Sequence, residues 1–296
     1  MLMGASFTPE RSDNVGDSHH MRRVALPGGE SVSALGQGTW KMAEDRGQRR
    51  QEIAALREGI ALGMTLIDTA EMYGEGRTEE LVGEAVAGRR DEVFIVSKAY
   101  PQNAGRERLP LACERSLRRL RTDRIDLYLL HWRGGVPLDE TVEGFEALRE
   151  SGKIRHWGVS NLDTDDMEEL FAAGGKSCAT NQILYNFARR GVEFELLPFL
   201  AKHNIPAMAY SPIEQGRLPK SGALAKVAKA HGASVPQIAL AFLLRRKDLI
   251  VIPKAGSVEH VRDNHEALTI TLSPEDLAAI DHAYPPPRRK TPLDML

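Results

Sequence analysis

Cysteine is nearly absent from this chain. Cys113 and Cys178 are its only two, too few for a disulfide framework and without the spacing of a metal-ligand set, which fits a reducing compartment. An excess of one charge is lacking as well: 41 Asp and Glu face 39 Lys and Arg, for a formal net charge of -2. With no long basic run, a polyanion has little electrostatic footing, and nucleic acid is not an expected partner. Long apolar runs are also missing. None approaches the roughly 18 residues of a membrane span, and the N-terminus has no apolar signal-peptide core, so the expectation is a cytoplasmic protein away from membranes. A complete Gly-x-Gly-x-x-Gly is missing too. Gly36-Gln37-Gly38-Thr39-Trp40 supplies the first two glycines, but Lys41 stands where the third belongs, which argues against the dinucleotide fingerprint of an open doubly wound sheet.

What is present suffices for a large core. At 296 residues and 42% hydrophobic, the chain has room for one α/β barrel of roughly 250 residues plus extensions. Residues 1–20, with a His19-His20 pair, show no periodicity that buries a face and are expected to be a disordered lead-in. Residues 21–296 are expected to form one barrel domain. Arg23 to Leu26, the turn Pro27-Gly28-Gly29-Glu30 and Ser31 to Ser33 read as a β-hairpin that plugs or flanks it.

Strand-like runs centre on residues 34–38, 65–68, 93–98, 127–131, 157–160, 180–183, 207–210 and 250–253. That is about eight, the number in a closed parallel barrel. Helical periodicity lies between them: Ile53, Leu56 and Ile60 before Gly63; Leu109, Cys113, Leu117 and Leu120; Val142, Phe145 and Leu148 before Gly152. Ser234 with Gln237 forms a capping-box signature, and Ser273-Pro274 opens the last helix. The expected fold is α/β, a (β/α)8 TIM barrel with an N-terminal β-hairpin, and an open doubly wound sheet is the alternative on pattern alone.

Barrels place their chemistry at the C-terminal ends of the strands. Those ends carry Asp68, Lys98, His131, Ser160-Asn161, Gln182, Tyr210-Ser211 and Lys254. A lysine closing an apolar strand needs a partner if it is buried, and Asp68 is the natural one. Tyr73 follows Asp68 on the loop. A phenol has an ordinary pKa near 10, and an ammonium within about 4–6 Å lowers it, so Tyr73 reads as an acid tuned by Lys98 and Asp68. His131, followed by Trp132, can hydrogen-bond the same reacting oxygen as a neutral imidazole. Each residue has an ordinary reading too: a cap, a snorkelling lysine, a packed histidine. Their coincidence on one rim favours chemistry.

These residues resemble the aldo-keto reductase superfamily, from about Leu35 to the C-terminus. Asp68 and Tyr73 in Asp-Thr-Ala-Glu-Met-Tyr-Gly, Lys98 in Val-Ser-Lys and His131 in Leu-Leu-His-Trp match its catalytic tetrad. The resemblance implies a barrel that binds NADPH without a Rossmann fold and reduces aldehydes and ketones, with Tyr73 as proton donor, Lys98 and Asp68 tuning it, and His131 orienting the carbonyl. Such chemistry needs a hydride cofactor, a proton donor and a polariser, and no metal.

The same resemblance implies that Ser160, Asn161 and Gln182 hold the nicotinamide carboxamide and that Tyr210 stacks on its ring. Ser211, Pro212 and the chain to Leu218, with the stretch from Lys254 through Asn264 that includes Ala255 and Arg262, would wrap the pyrophosphate and adenosine; Gly38, Thr39, Trp40 and Asp68 are also counted on the cofactor side. Family members that bind NADP tightly often read Lys-Ser with an Arg six positions after the Lys. Here Ala255 follows Lys254, His260 stands six on and Arg262 two later, and the cations Lys254 and Arg262 favour NADPH over NADH.

The expected substrate is a small carbonyl compound in a pocket of Trp40, Tyr73, His131 and Trp132, with Met72 and Tyr185 as further apolar wall. The chain is most similar to bacterial members that reduce small ketoaldehydes such as methylglyoxal. The tail Tyr284-Pro285-Pro286-Pro287-Arg288-Arg289-Lys290 is expected to fold over the mouth as a stiff cationic lid favouring oxygen-rich or anionic substrates, and the chain to act as a monomer. Two other functions fit a barrel with this rim: an aldolase with Lys98 as Schiff-base lysine, and an NADPH-holding sensor with little turnover.

Overall fold

Two core layers share one set of strands. The computed structural model describes residues 21–296; the expectation for residues 1–20 lies outside the described residues. The hairpin pairs β1 (Arg23–Ala25) with β2 (Ser31–Ser33), Val24 opposite Val32, and its turn uses Gly28 and Gly29 at φ +96° and +94°, values that only glycine adopts freely.

The strands that follow are β3 (Gln37–Gly38), β4 (Leu66–Asp68), β5 (Phe94–Ala99), β6 (Ile125–Leu130), β7 (Ile154–Ser160), β8 (Asn181–Leu184), β9 (Ala207–Tyr210) and β10 (Leu249–Val251). They form an eight-stranded parallel sheet in sequence order. Its two edges meet: Gly36 N–H donates to Val251 O at 2.8 Å, Val251 N–H to Ala34 O at 2.8 Å and Gly38 N–H to Pro253 O at 2.9 Å. The sheet is therefore closed as a (β/α)8 barrel, and the open alternative falls.

Helices cover the outside. Those that the periodicity and the start signals locate are α1 (Arg49–Ala61), α3 (Arg108–Leu120), α4 (Leu138–Glu150), α8 (Val235–Leu244) and α10 (Pro274–Ala283); α8 carries the expected capping box, and α10 opens at Ser273-Pro274 with a capping box of its own, Ser273 with Asp276. The others are α2 (Arg77–Ala85), α5 (Thr164–Ala172), α6 (Leu196–Lys202), α7 (Ala223–His231) and α9 (Val258–Glu266). No single helix among the described residues is long and apolar enough to cross a membrane.

Side chains alternate across each strand. Ile67, Ile95, Tyr128 and Val251 point outward under the helices, while Leu66, Phe94, Val96, Leu127, Leu129, Met208 and Ile250 fill the barrel interior. Val24, Leu26 and Val32 belong to that interior layer, so the hairpin plugs the N-terminal mouth. The salt bridge of Glu30 with Arg155 at 2.8 Å and its hydrogen bond with His156 Nε2 at 2.7 Å tie its turn to β7. Continuing the inward positions by two residues leads from Leu66 to Asp68, from Val96 to Lys98, from Leu129 to His131, from Met208 to Tyr210 and from Ile252 to Lys254. The apolar core is thus the floor on which the polar rim stands.

Candidate active site

Lys98 is the centre of that rim. It is wholly buried, and Asp68 is 2% exposed. The Lys98 ammonium donates to the Asp68 carboxylate at 2.8 Å, to Thr69 O at 2.8 Å and to the Tyr73 hydroxyl at 3.2 Å. Three acceptors match the three protons of an ammonium. With each proton taken, Lys98 has no lone pair to offer a carbonyl carbon, which disfavours the Schiff-base alternative. Gln182 donates to the other Asp68 oxygen at 2.7 Å, so the buried carboxylate is satisfied from two strands.

Tyr73 is half-buried in a short 3-10 turn, Tyr73–Gly76, and its ring meets His131 edge-on at 5.8 Å. Burial, and then the negative charge of Asp68, hold the phenol well above its usual pKa. The expected lowering by Lys98 is therefore corrected: a phenolate here is partly withdrawn from water, and the one ammonium that touches it is already engaged by a carboxylate. Burial likewise pushes Asp68 up and Lys98 down, each opposing the other's loss of charge. His131 is lowered to about 2 by burial and then by the Lys98 charge, so it is the neutral imidazole expected, and its Nδ1 is buried without a partner among the described residues.

A second set of polar groups lies on the adjoining wall. The Tyr210 hydroxyl donates to Asn161 Oδ1 at 3.0 Å, and Asn161 Nδ2 donates to Ser160 Oγ at 3.1 Å and His131 O at 3.2 Å. Asn161 and Ser211 sit at φ +57° and +49°, left-handed conformations that non-glycine residues tolerate where surrounding structure holds them. Asn186 supplies such a hold, donating to Ser211 O at 3.0 Å.

Both sets open into one cavity of about 560 Å³. Of the expected site residues, Gly38, Trp40, Asp68, Tyr73, His131, Trp132, Ser160, Asn161 and Gln182 line it, as do Tyr210, Ser211, Pro212, Lys254 and Asn264. Gly38 is required there: a Cβ would come within 2.8 Å of Ile252 O. Met72 also lines it.

Other expected residues do not line the cavity. Thr39 is buried and donates its hydroxyl to Asp68 O at 2.8 Å, which makes it a support of the rim. Ala255 and Leu218 turn into the layer beneath the helices. Arg262 reaches away to Glu58 at 2.7 Å, because α9 directs it toward α1, whereas His260 and Asp263 of the same expected stretch line the cavity. Tyr185 is fully buried and donates to Glu193 at 2.6 Å, so it forms no wall.

The tail reaches the mouth, but not with its charges. Lys290 is held at 3.0 Å by both Asp165 and Glu195, while Met295 and Leu296 line the cavity and the Leu296 backbone reaches the Tyr210 hydroxyl. The lid is apolar rather than cationic. Ile213 and Gly216, within the expected stretch from Ser211 to Leu218, line it too; Pro236, Met295 and Leu296 were not anticipated, because none lies on a strand end and strand alternation does not reach them.

Three comparisons agree with this geometry. The sequence model described as Aldo/keto reductase family matches residues 34–285. Methylglyoxal reductase YeaE of Escherichia coli (strain K12) is 50% identical over 281 residues, covering 93% of this chain and 99% of that protein. Glyoxal reductase of Bacillus subtilis (strain 168) is 33% identical over 261 residues, covering 87% and 91%. Among solved structures, an aldo/keto reductase from Klebsiella pneumoniae in complex with NADP and acetate superposes with a TM-score of 0.91 at 52% identity, covering 94% of this chain and 100% of that one.

Proposed function

The chain belongs to the aldo/keto reductase family, and from that premise we propose that it reduces the carbonyl group of small aldehydes and ketones, methylglyoxal among them, to alcohols with NADPH. The observation that carries the reading is Lys98, bound at once to Asp68 and to the Tyr73 hydroxyl at the base of the cavity. A bound NADPH supplies the hydride.

The chain's residues fit that group. Ser160, Asn161 and Gln182 offer hydroxyl and amide partners for its carboxamide, and the Tyr210 ring offers a face. The Lys254 ammonium, the His260 ring and the backbone at Gly256, before the N-terminus of α9, offer donors for phosphate. Lys254 folds its ammonium over Gly256, where a Cβ would come within 3.0 Å of it.

The roles we assign follow from the geometry. Tyr73 keeps its proton at neutral pH because burial and Asp68 hold it there, and it gives that proton to the carbonyl oxygen as negative charge develops. Lys98 steadies the phenolate left behind, and Asp68 holds Lys98 in place. Neutral His131 orients the carbonyl oxygen. The Trp40, Met72, Trp132, Met295 and Leu296 side chains make the substrate end apolar, which suits a neutral carbonyl compound. The same reading has the chain act as a cytoplasmic monomer, with Cys113 and Cys178 buried as free thiols.

The test is NADPH consumption with methylglyoxal and with aromatic aldehydes, wild type beside Tyr73→Phe. We expect wild-type turnover and a loss of roughly 10²–10⁴-fold in the variant, with NADPH affinity retained. Binding of NADPH by both proteins without turnover in either would replace this reading by the sensor.

A further inference from the structure

Glu71 stands between Asp68 and Tyr73 in sequence yet takes no part in the cavity. Its side chain is nearly buried, at 8% exposure, and turns sideways to the loop after β5. There Glu71 Oε1 accepts the Tyr100 N–H at 2.7 Å and the Asn103 side-chain amide at 2.8 Å. Its own N–H donates to Lys98 O at 3.3 Å. The nearest cation is Arg115 at 3.9 Å from the other oxygen, with its side chain 42% exposed.

A nearly buried carboxylate is costly to keep, so what it holds matters. It captures the segment that begins at Tyr100 and continues through the 3-10 turn Pro101–Asn103. The Tyr100 ring meets Trp132 edge-on, with centroids 5.9 Å apart, and Trp132 lies 4.8 Å from His131. Behind them the loop after β6 is packed tightly on the captured segment, since a Cβ on Gly134 would come within 2.5 Å of Pro101 Cβ. A continuous run of contacts thus leads from Glu71 through Tyr100 to Trp132, and Trp132 with His131 lines the substrate end of the cavity.

We propose that Glu71 is a positioning residue for substrate: by clamping Tyr100 and Asn103 it sets the place of the Trp132 wall, and with it the fit of the carbonyl compound beside His131. The proposal rests on the reductase reading and adds a specificity role to a residue that touches neither substrate nor cofactor. It places the effect on substrate affinity, because Lys98 and Tyr73 keep their own partners when the clamp is gone.

The experiment is steady-state reduction of methylglyoxal and an aromatic aldehyde by the full chain with NADPH. Glu71→Ala raises KM for the aldehydes about tenfold while kcat stays within about threefold, since a displaced wall weakens binding before it affects the chemical step. NADPH affinity is unchanged. Glu71→Gln keeps the Oε1 acceptor for both donors and restores KM to near wild type, whereas Asn103→Ala, losing one of the two bonds, falls between. In a Trp132→Ala background the Glu71→Ala change adds less than about twofold. An unchanged KM in Glu71→Ala, or a full additional KM effect in the Trp132→Ala background, overturns the proposal. If Glu71→Ala does not fold, the Glu71→Gln and Asn103→Ala pair decides by the same KM criterion. Absence of turnover in wild type overturns the reductase reading itself and is thereby distinguished.

Discussion

Lys98 and Asp68 form a salt bridge at 2.8 Å with side-chain exposures of 0% and 3%, across neighbouring strands. The register makes this unavoidable: β4 and β5 pair in parallel with Asp68 opposite Val96, so the next inward position of β5 after Val96 brings Lys98 over Asp68. The pair both organises the rim and ties its chemistry to stability.

Removing one partner leaves the other charged and buried. Asp68→Asn and Lys98→Met should each lose about 3–5 kcal/mol of folding stability, and the double variant should lose less than the sum. Urea unfolding measures all three; additive losses would mean that the two residues do not act as a pair.

His131 gives stability a specific pH dependence. Its folded pKa is lowered to about 2 against about 6.5 for an exposed imidazole. Between those values the unfolded chain binds more protons at this site than the folded one, so stability falls as pH drops through the unfolded value, by about 1.4 kcal/mol per unit. From about pH 7 to about pH 5, wild type should therefore lose about 2 kcal/mol more than His131→Gln. Parallel losses in the two proteins would show that His131 protonates freely in the fold.

Cofactor preference separates Lys254 from Arg262. Lys254 lines the cavity, whereas Arg262 is paired with Glu58. Lys254→Ala should weaken NADPH about five- to tenfold, leave NADH within about twofold and flatten the salt dependence of NADPH binding. Arg262→Ala should alter neither cofactor. Fluorescence titration reads both, and a larger loss in Arg262→Ala would mean that this side chain swings back to the phosphate.

The tail contributes apolar surface to the mouth. Deleting residues 295–296 should raise KM for aromatic aldehydes about tenfold, the equivalent of some tens of Å² of lost apolar contact. Methylglyoxal, which buries less apolar surface, should change less. Lys290→Ala should leave the substrate profile as it is, because that ammonium is engaged by Asp165 and Glu195. A selective loss of anionic substrates in Lys290→Ala would restore the cationic lid.

The strands, the barrel and the four groups Asp68, Tyr73, Lys98 and His131 were legible in the sequence because they follow from local rules: apolar runs make strands, alternation assigns faces, and a charge that ends an apolar run must be satisfied. Three further properties were decided only by the tertiary structure. The direction of the Tyr73 shift depends on how much water the assembled rim excludes, which no pairwise reading of Tyr and Lys contains. The side of α9 that faces the cavity sends His260 and Asp263 inward and Arg262 to Glu58, a choice made by packing against α1. The path of the tail places Met295 and Leu296 at the mouth and leaves Lys290 on the flank, because distant carboxylates on α5 and beside α6 capture the ammonium. Local patterning specifies which groups reach the rim; long-range packing specifies their neighbours, and the neighbours set charge, affinity and fit.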